Sequence, residues 1–266
     1  SYEQHLHTGH YLILPGDNAY TLFHRLYRGQ QSPVNITIGS ARSADRIAKQ
    51  LERQLMIDST TIATALHDTL FLQKNGYTEE TLMSLFIPNT YQVYWDITVE
   101  RLLQRLVKEH NRFWNEERQA KAKAIGLTPQ EVATLASIVE EETNNNPEKK
   151  MVAGLYINRL QRGIPLQADP TVKYALQEFT LRRITNEHLK VESPYNTYLH
   201  QGLPPGPIRI PTPIGLDAVL NYTRHNYLYM CAKEDFSGTH NFARTYTEHL
   251  ANAARYTKAL NERGIK

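Results

Sequence analysis

Five prolines within residues 204–213 constrain the fold of this chain more than any other feature of its sequence. They stand at positions 204, 205, 207, 211 and 213, inside the segment "SPYNTYLHQGLPPGPIRIPTP". Because proline lacks a backbone donor and fixes φ, this spacing excludes both a regular helix and a central strand. The fold must therefore enclose an irregular segment, with helices and strands before and after it.

The N-terminal part, residues 1–115, has the pattern of a small α/β region. We expect strands at "GHYLILP" and "VNITIG", with a short helix ending near Gly29 between them. Ser43 is the expected N-cap of an amphipathic helix, and a further helix follows Asp58. This strand-helix-helix pattern resembles LysM-like modules. The resemblance implies binding of the N-acetylated sugars of cell-wall glycans.

A long amphipathic helix beginning after Thr98 ends this region, and we place the domain boundary between residues 115 and 116. Residues 116–266 mix helices with two strand candidates, "NYLYMCA" and "HNFART". A capping box from Thr245 to Glu248 starts the last helix. The predicted fold class is α+β: a small LysM-like α/β region followed by a mixed α+β domain.

Composition excludes several classes of function. The net charge of +3 comes without a dense basic run, which argues against nucleic acid as a partner. Cys231 is the sole cysteine, and no Cys/His cluster has zinc-ligand spacing. No apolar run has the length of a membrane span. Since the chain begins at Ser1 rather than Met, we expect an upstream signal or anchor to have been removed.

Three adjacent carboxylates end a helix whose phase can be predicted. Thr128 is its expected N-cap and Pro129 its first residue. The apolar stripe then includes Glu142, with Glu140 at its margin and Glu141 roughly opposite.

Burial, the negative end of the helix dipole and two anionic neighbours would all raise the pKa of the Glu142 carboxyl. A glutamate that stays protonated near neutral pH suits general acid catalysis. The alternative is a solvated helix end, in which the glutamates pair with Lys149 and Lys150.

Four ordered motifs decide between these interpretations. They cover residues 132–249 densely and are "ASIVEEET", "AGLYINRLQRGIPLQADPTVKYAL", "SPYNTYLHQGLPPGPI" and "YLYMCAKEDFSGTHNFARTYTEH". In order and spacing they resemble the YceG-like, or MltG, family of endolytic murein transglycosylases. Three positions depart from the family pattern: Asn89 replaces a usual Asp, a common glycine after Thr143 is missing, and "IRIPTP" replaces a more usual Asn-Pro-Gly.

The resemblance implies a lyase in which Glu142, the last glutamate of the family's E-x-E-T signature, is the catalytic residue. One glutamate suffices because the muramic sugar's own primary hydroxyl attacks its anomeric carbon. The reaction then needs no metal and no cofactor. The implied partners are peptidoglycan glycan strands, with peptidoglycan synthases as candidate protein partners. The implied location is the bacterial envelope, outside the plasma membrane and held by an anchor absent from this chain.

Six further residues are candidates for substrate contacts, each with a structural alternative. Gln167 would hydrogen-bond an N-acetyl group or satisfy loop backbone. Asp169, before Pro170, would contact substrate or act as an N-cap. The others are Tyr195 and Asn196 on the proline-bounded loop, Glu140 beside the acid and His240 after a turn. For Asn196 the alternative is an Asx-turn.

Two other functions stay open. The chain is a non-catalytic cell-wall binding or scaffold protein if the glutamates are inert. It is a hydrolytic muramidase if Asp169 acts as the base for water.

Overall fold

The structure is a computed structural model that describes residues 7–181 and 183–264; Ser1, where the chain begins, lies outside these ranges. The chain divides into two compact units between Phe113 and Trp114. Within the described residues the elements are helices and two small antiparallel sheets, an α+β fold as predicted.

The N-terminal unit is built around the β1–β2 sheet. Its elements are α1 Ala19–Tyr27, β1 Val34–Ile38, α2 Ala44–Glu52, α3 Ser59–Leu66, α4 Thr69–Asn75, a 3-10 helix Leu82–Leu85, β2 Asn89–Val93 and α5 Val99–Phe113. The strands are antiparallel, with Val34 opposite Val93. Ser43 caps α2 as predicted, and α3 follows Asp58 as predicted, with the Asp58 side chain as its N-cap.

The strand expected at "GHYLILP" is wrong. Leu12, Ile13 and Leu14 are about half or more exposed and belong to no sheet. The main chain here bonds to Ser32 and to the side chains of Asp17 and Arg25, and no neighbouring strand among the described residues supplies a ladder. The LysM-like character of this unit stays a prediction.

The C-terminal unit surrounds one central helix. Its elements are α6 Glu116–Ala124, α7 Pro129–Glu142, α8 Asn146–Gln161, α9 Asp169–Leu176, a 3-10 helix His188–Lys190, α10 Pro213–Leu220, β3 Tyr229–Ala232, β4 His240–Ala243 and α11 Tyr246–Glu262. Helices α6, α8, α9 and α10 all pack against α7, while α11 packs on the β3–β4 hairpin. The proline-rich segment is irregular as predicted, and its last proline begins α10 behind the N-cap Thr212.

The start of α7 follows the sequence prediction in detail. The Thr128 side chain accepts from the backbone of Glu131, and the Glu131 carboxylate accepts from the backbone of Thr128. Every residue from Val132 to Glu140 is buried, so the helix has no solvated face along this stretch. The apolar stripe was therefore a poor guide to which glutamate faces the interior.

Candidate active site

Glu142 is the last residue of α7 and lies in a cleft of about 280 Å³. The cleft is lined by Glu142, Leu155, Tyr156, Arg159, Leu166, Gln167, Asp169, Tyr198, Tyr229, Met230, Tyr246 and His249. Among the residues named from sequence, the structure brings Glu142, Gln167 and Asp169 together here.

One oxygen of Glu142 is fixed by the neighbouring helix. The Tyr156 hydroxyl, on α8, donates a 2.6 Å hydrogen bond to Glu142 Oε1. The pKa of the Glu142 carboxyl is raised to about 7, mainly by burial and in smaller part by the charge of Asp169. The hydrogen bond from Tyr156 and the positive charges of His240 and Lys173 act in the opposite direction. The carboxyl can therefore hold or release a proton near neutral pH.

Asp169 has a different position in its helix from the one expected. Ala168, without a capping side chain, is the N-cap of α9, and Asp169 is the first helical residue. Its Oδ1 accepts a 2.6 Å hydrogen bond from the Tyr198 hydroxyl. The cleft thus contains two carboxyl groups.

The "SPYNTY" loop is tied to the start of α9 through Thr197. The Thr197 carbonyl accepts from the backbone of Gln167 at 3.1 Å, and its Oγ1 accepts from the backbone of Ala168 at 3.0 Å. These bonds fix the position of Tyr198 relative to Gln167 and Asp169.

Gln167 is exposed in the cleft with a backbone φ of 53°. This left-handed conformation is uncommon for a residue with a side chain. Arg159 Nη1 donates to Gln167 Oε1 at 3.2 Å. The side-chain amide group retains its N–H donors for a ligand.

Arg159 braces this wall of the cleft. Its guanidinium donates to the carbonyls of Pro165 and Leu166 at 3.0 Å and to that of Leu228 at 2.6 Å. The side chain joins the loop before α9 to the residues entering β3. Asn158, beside it, donates to the carbonyls of His225 and Tyr227.

Glu140 lies away from the cleft, beneath α10. Its oxygens accept from the backbone and hydroxyl of Thr212, and Lys149 Nζ lies 3.5 Å from Oε1. The residue is only 5% exposed, and the absent side chain of Gly215 leaves room for its carboxylate. The close approach of α10 thus makes Glu140 a structural group.

Asn196 is also structural, because its side chain is completely buried. Its amide donates to the carbonyls of Leu189 and Val191 at 2.9 Å, and its Oδ1 accepts from the backbone of Tyr198 in an Asx-turn. Tyr195 packs against Tyr174, with ring centroids 4.7 Å apart. Neither side chain lines the cleft.

His240 forms a buried polar cluster just behind the acid. Its backbone and Nδ1 both contact the Glu148 carboxylate, at 2.6 and 2.9 Å. Thr143 Oγ1 donates to the same carboxylate at 2.8 Å. Since Thr143 follows Glu142, this cluster fixes the end of α7. The charge of His240 reaches Glu142, but its ring is outside the set that lines the cleft.

An aromatic wall was missed in the sequence. Tyr229 stacks on His249 with centroids 5.5 Å apart, and Tyr246 lies 5.7 Å from Tyr229. The "PYNTY" motif likewise gave no basis for choosing Tyr198 over Tyr195. Tyr156 lies well inside a different helix from Glu142, so no local spacing signals their contact.

Neither a metal-binding group nor a membrane-spanning helix is found among the described residues. Within residues 7–181 and 183–264, no three His, Cys, Asp or Glu side chains form a group that could hold a metal ion. In the same ranges, none of the helices combines the length and apolar character that crossing a bilayer requires.

Comparison with known proteins assigns the chain to a family. The sequence profile of the YceG-like family matches residues 1–255. The chain belongs to the YceG-like family. A crystal structure of a YceG-like protein from Listeria monocytogenes superposes with a TM-score of 0.67 and 27% sequence identity, covering 93% of this chain and 85% of that one.

Two curated relatives are named endolytic murein transglycosylase. The Bacillus subtilis protein is 27% identical over 243 residues, covering 86% of this chain and 66% of the relative. The Streptococcus pneumoniae D39 protein is 29% identical over 182 residues, covering 67% of this chain and 33% of the relative. The chain therefore spans less than two thirds of the length of each.

Proposed function

We propose that this YceG-like chain is an endolytic murein transglycosylase, a lyase that cleaves the bond between N-acetylmuramic acid and N-acetylglucosamine in glycan strands. The observation that carries the proposal is the state of Glu142. One oxygen is fixed by Tyr156, the pKa is about 7, and the group lies in a cleft with polar and aromatic walls. The name of the two relatives supports the same activity.

Glu142 acts twice in the proposed reaction. As the neutral acid it gives its proton to the glycosidic oxygen, and the bond from that oxygen to the anomeric carbon of the muramic sugar breaks. The primary hydroxyl of the same sugar then attacks that carbon and returns a proton to the Glu142 carboxylate. No water is consumed, and the product has an anhydro end.

The other cleft residues would hold the sugar in place. Gln167 is suited to the N-acetyl group, because its amide donors are presented on a braced loop. The aromatic rings of Tyr229 and Tyr246 offer faces on which the C–H surface of a sugar can pack.

A hydrolytic muramidase remains the second candidate, because Asp169 supplies the cleft with a second carboxylate. Digestion of purified peptidoglycan followed by mass spectrometry separates the possibilities. Anhydro-ended fragments support the lyase. Reducing ends would establish the hydrolase, and intact strands would leave a non-catalytic glycan-binding protein.

We further propose that the N-terminal unit retains glycan, and that the protein works at the outer side of the plasma membrane, with peptidoglycan synthases as partners. The test of glycan retention is a pull-down with purified sacculi, comparing the full chain with residues 116–266. Equal binding by the two would remove the retention role.

A further inference from the structure

Asp169 is a second carboxylate of the cleft that the proposed reaction leaves without a role. It begins α9, which packs against α7, the helix that ends at Glu142. Its position is fixed from two sides. The Tyr198 hydroxyl holds Oδ1 at 2.6 Å, and Thr197 holds the backbone of the two preceding residues.

Charged and titratable groups face Glu142 from several elements. These groups are Tyr156 and Arg159 on α8, Asp169 and Lys173 on α9, Tyr198 on the "SPYNTY" loop, Tyr229 on β3, His240 on β4, and Tyr246 and His249 on α11. Asp169 is the negative charge of this set.

We propose that Asp169, anchored by Tyr198, is a positioning residue that presents a fixed negative charge to Glu142 and so retains the proton that Glu142 delivers. The use of that proton rests on the function proposed above. The effect of the Asp169 charge on Glu142 does not depend on that function, and it is measured on the protein without substrate.

The hydrogen bond from Tyr156 acts on the pKa of Glu142 in the direction opposite to Asp169. A hydroxyl that donates to a carboxylate favours the charged form, whereas a nearby anion favours the neutral form. Burial is the main reason that the pKa of Glu142 is raised; Asp169 adds to it, and the Tyr156 hydrogen bond opposes it. Removing either partner should therefore move the titration of Glu142 in a known and opposite direction.

The alternative role of Asp169, as a base that activates water, makes a different prediction. Loss of a base that activates water would abolish cleavage at every pH. Loss of a fixed charge would move the titration and retain activity at low pH, where Glu142 is still protonated.

The test is a titration of the full-length chain followed by carboxyl ¹³C NMR, with the Glu142 resonance assigned by its loss in Glu142→Gln. The parent midpoint should lie at about pH 7. It should fall in Asp169→Asn and rise in Tyr156→Phe. Glu178→Gln is the matched control, since it removes an exposed carboxylate just beyond α9, outside the cleft. An unchanged midpoint in folded Asp169→Asn would overturn the proposal.

A pH profile of anhydro-product release adds the second readout. In Asp169→Asn the high-pH limb should move to lower pH, with near-parental release on the acid side. Loss of release at all pH values in folded Asp169→Asn would make Asp169 a base and overturn the positioning role. If the parent releases no fragments while the midpoints still shift, the proposed function fails and the charge relationship stands.

Discussion

The Tyr156 hydroxyl donates a 2.6 Å hydrogen bond to Glu142 Oε1, so one oxygen of the candidate acid is fixed by a side chain from the next helix. The other oxygen, Oε2, is the one that we expect to exchange a proton with substrate. Burial raises the pKa of Tyr156 well above its ordinary value, so the phenol remains a donor throughout the working pH range.

The raised pKa of Glu142 has a consequence for stability. The folded-state pKa of about 7 exceeds the ordinary value of 4.5, so the folded state loses stability as the pH rises from about 4.5 through 7. That difference corresponds to about 3 kcal/mol above pH 7. Glu142→Gln should therefore have the higher free energy of unfolding at pH 8, and the advantage should vanish below about pH 4.5. Urea denaturation of both proteins at the two pH values measures this, and a constant difference would contradict it.

Tyr246 is expected to contribute to substrate binding rather than to bond cleavage. It lines the cleft yet is 59% exposed, so its ring is available to a sugar. Losing such a contact in Tyr246→Ala costs about 1 kcal/mol and should raise KM roughly fivefold with little change in kcat.

Leu250→Ala is the matched control for Tyr246→Ala. It truncates a 50% exposed apolar side chain on the same helix, outside the cleft lining. Equal KM values for the parent and Tyr246→Ala would exclude the aromatic wall from glycan binding.

Glu140→Gln should lower the free energy of unfolding of the protein. The substitution leaves the Lys149 ammonium buried without its carboxylate, which typically costs about 3–5 kcal/mol. Adding Lys149→Met should recover most of the loss, because the unpaired charge is then gone. Denaturation measures both variants. An unchanged free energy of unfolding in Glu140→Gln would show that the pair is not stabilising the fold.

Asn196→Ala should also destabilise the protein, by about 1–3 kcal/mol for each buried group that it leaves unsatisfied. Asn144→Ala, in the exposed turn after α7, serves as the control and should change stability by less than about 0.5 kcal/mol. Equal unfolding midpoints for the two variants would contradict a structural role for Asn196.

Features whose signals are local were predictable from the sequence. The caps of α2, α7 and α11, the hairpin of β3 with β4 and the irregular proline-rich segment all depend on residues close together in the chain. The strand expected near Leu12 failed because a strand also needs a partner, which its own residues do not specify.

The site was predictable only in part, because contacts between separate elements have no local sequence signal. Glu142, Gln167 and Asp169 belong to recognisable motifs, and they share the cleft. The contacts of Tyr156 with Glu142 and of Tyr198 with Asp169 join separate elements and follow from tertiary packing alone. Glu140 was misjudged because α7 is covered on all sides, so helical phase does not separate a cleft position from a buried one.

The most direct test of the central claim is the release of anhydro-ended fragments from purified glycan strands by Glu142→Gln. The amide preserves the size of the side chain and still accepts from Tyr156, but it neither donates nor accepts the catalytic proton. Because one group serves both halves of the reaction, release should fall by about 10⁴-fold or more in a variant that circular dichroism shows to be folded. Glu141→Gln, whose carboxylate pairs with Arg209, should stay within a few-fold of the parent. Near-parental release by folded Glu142→Gln would contradict the account.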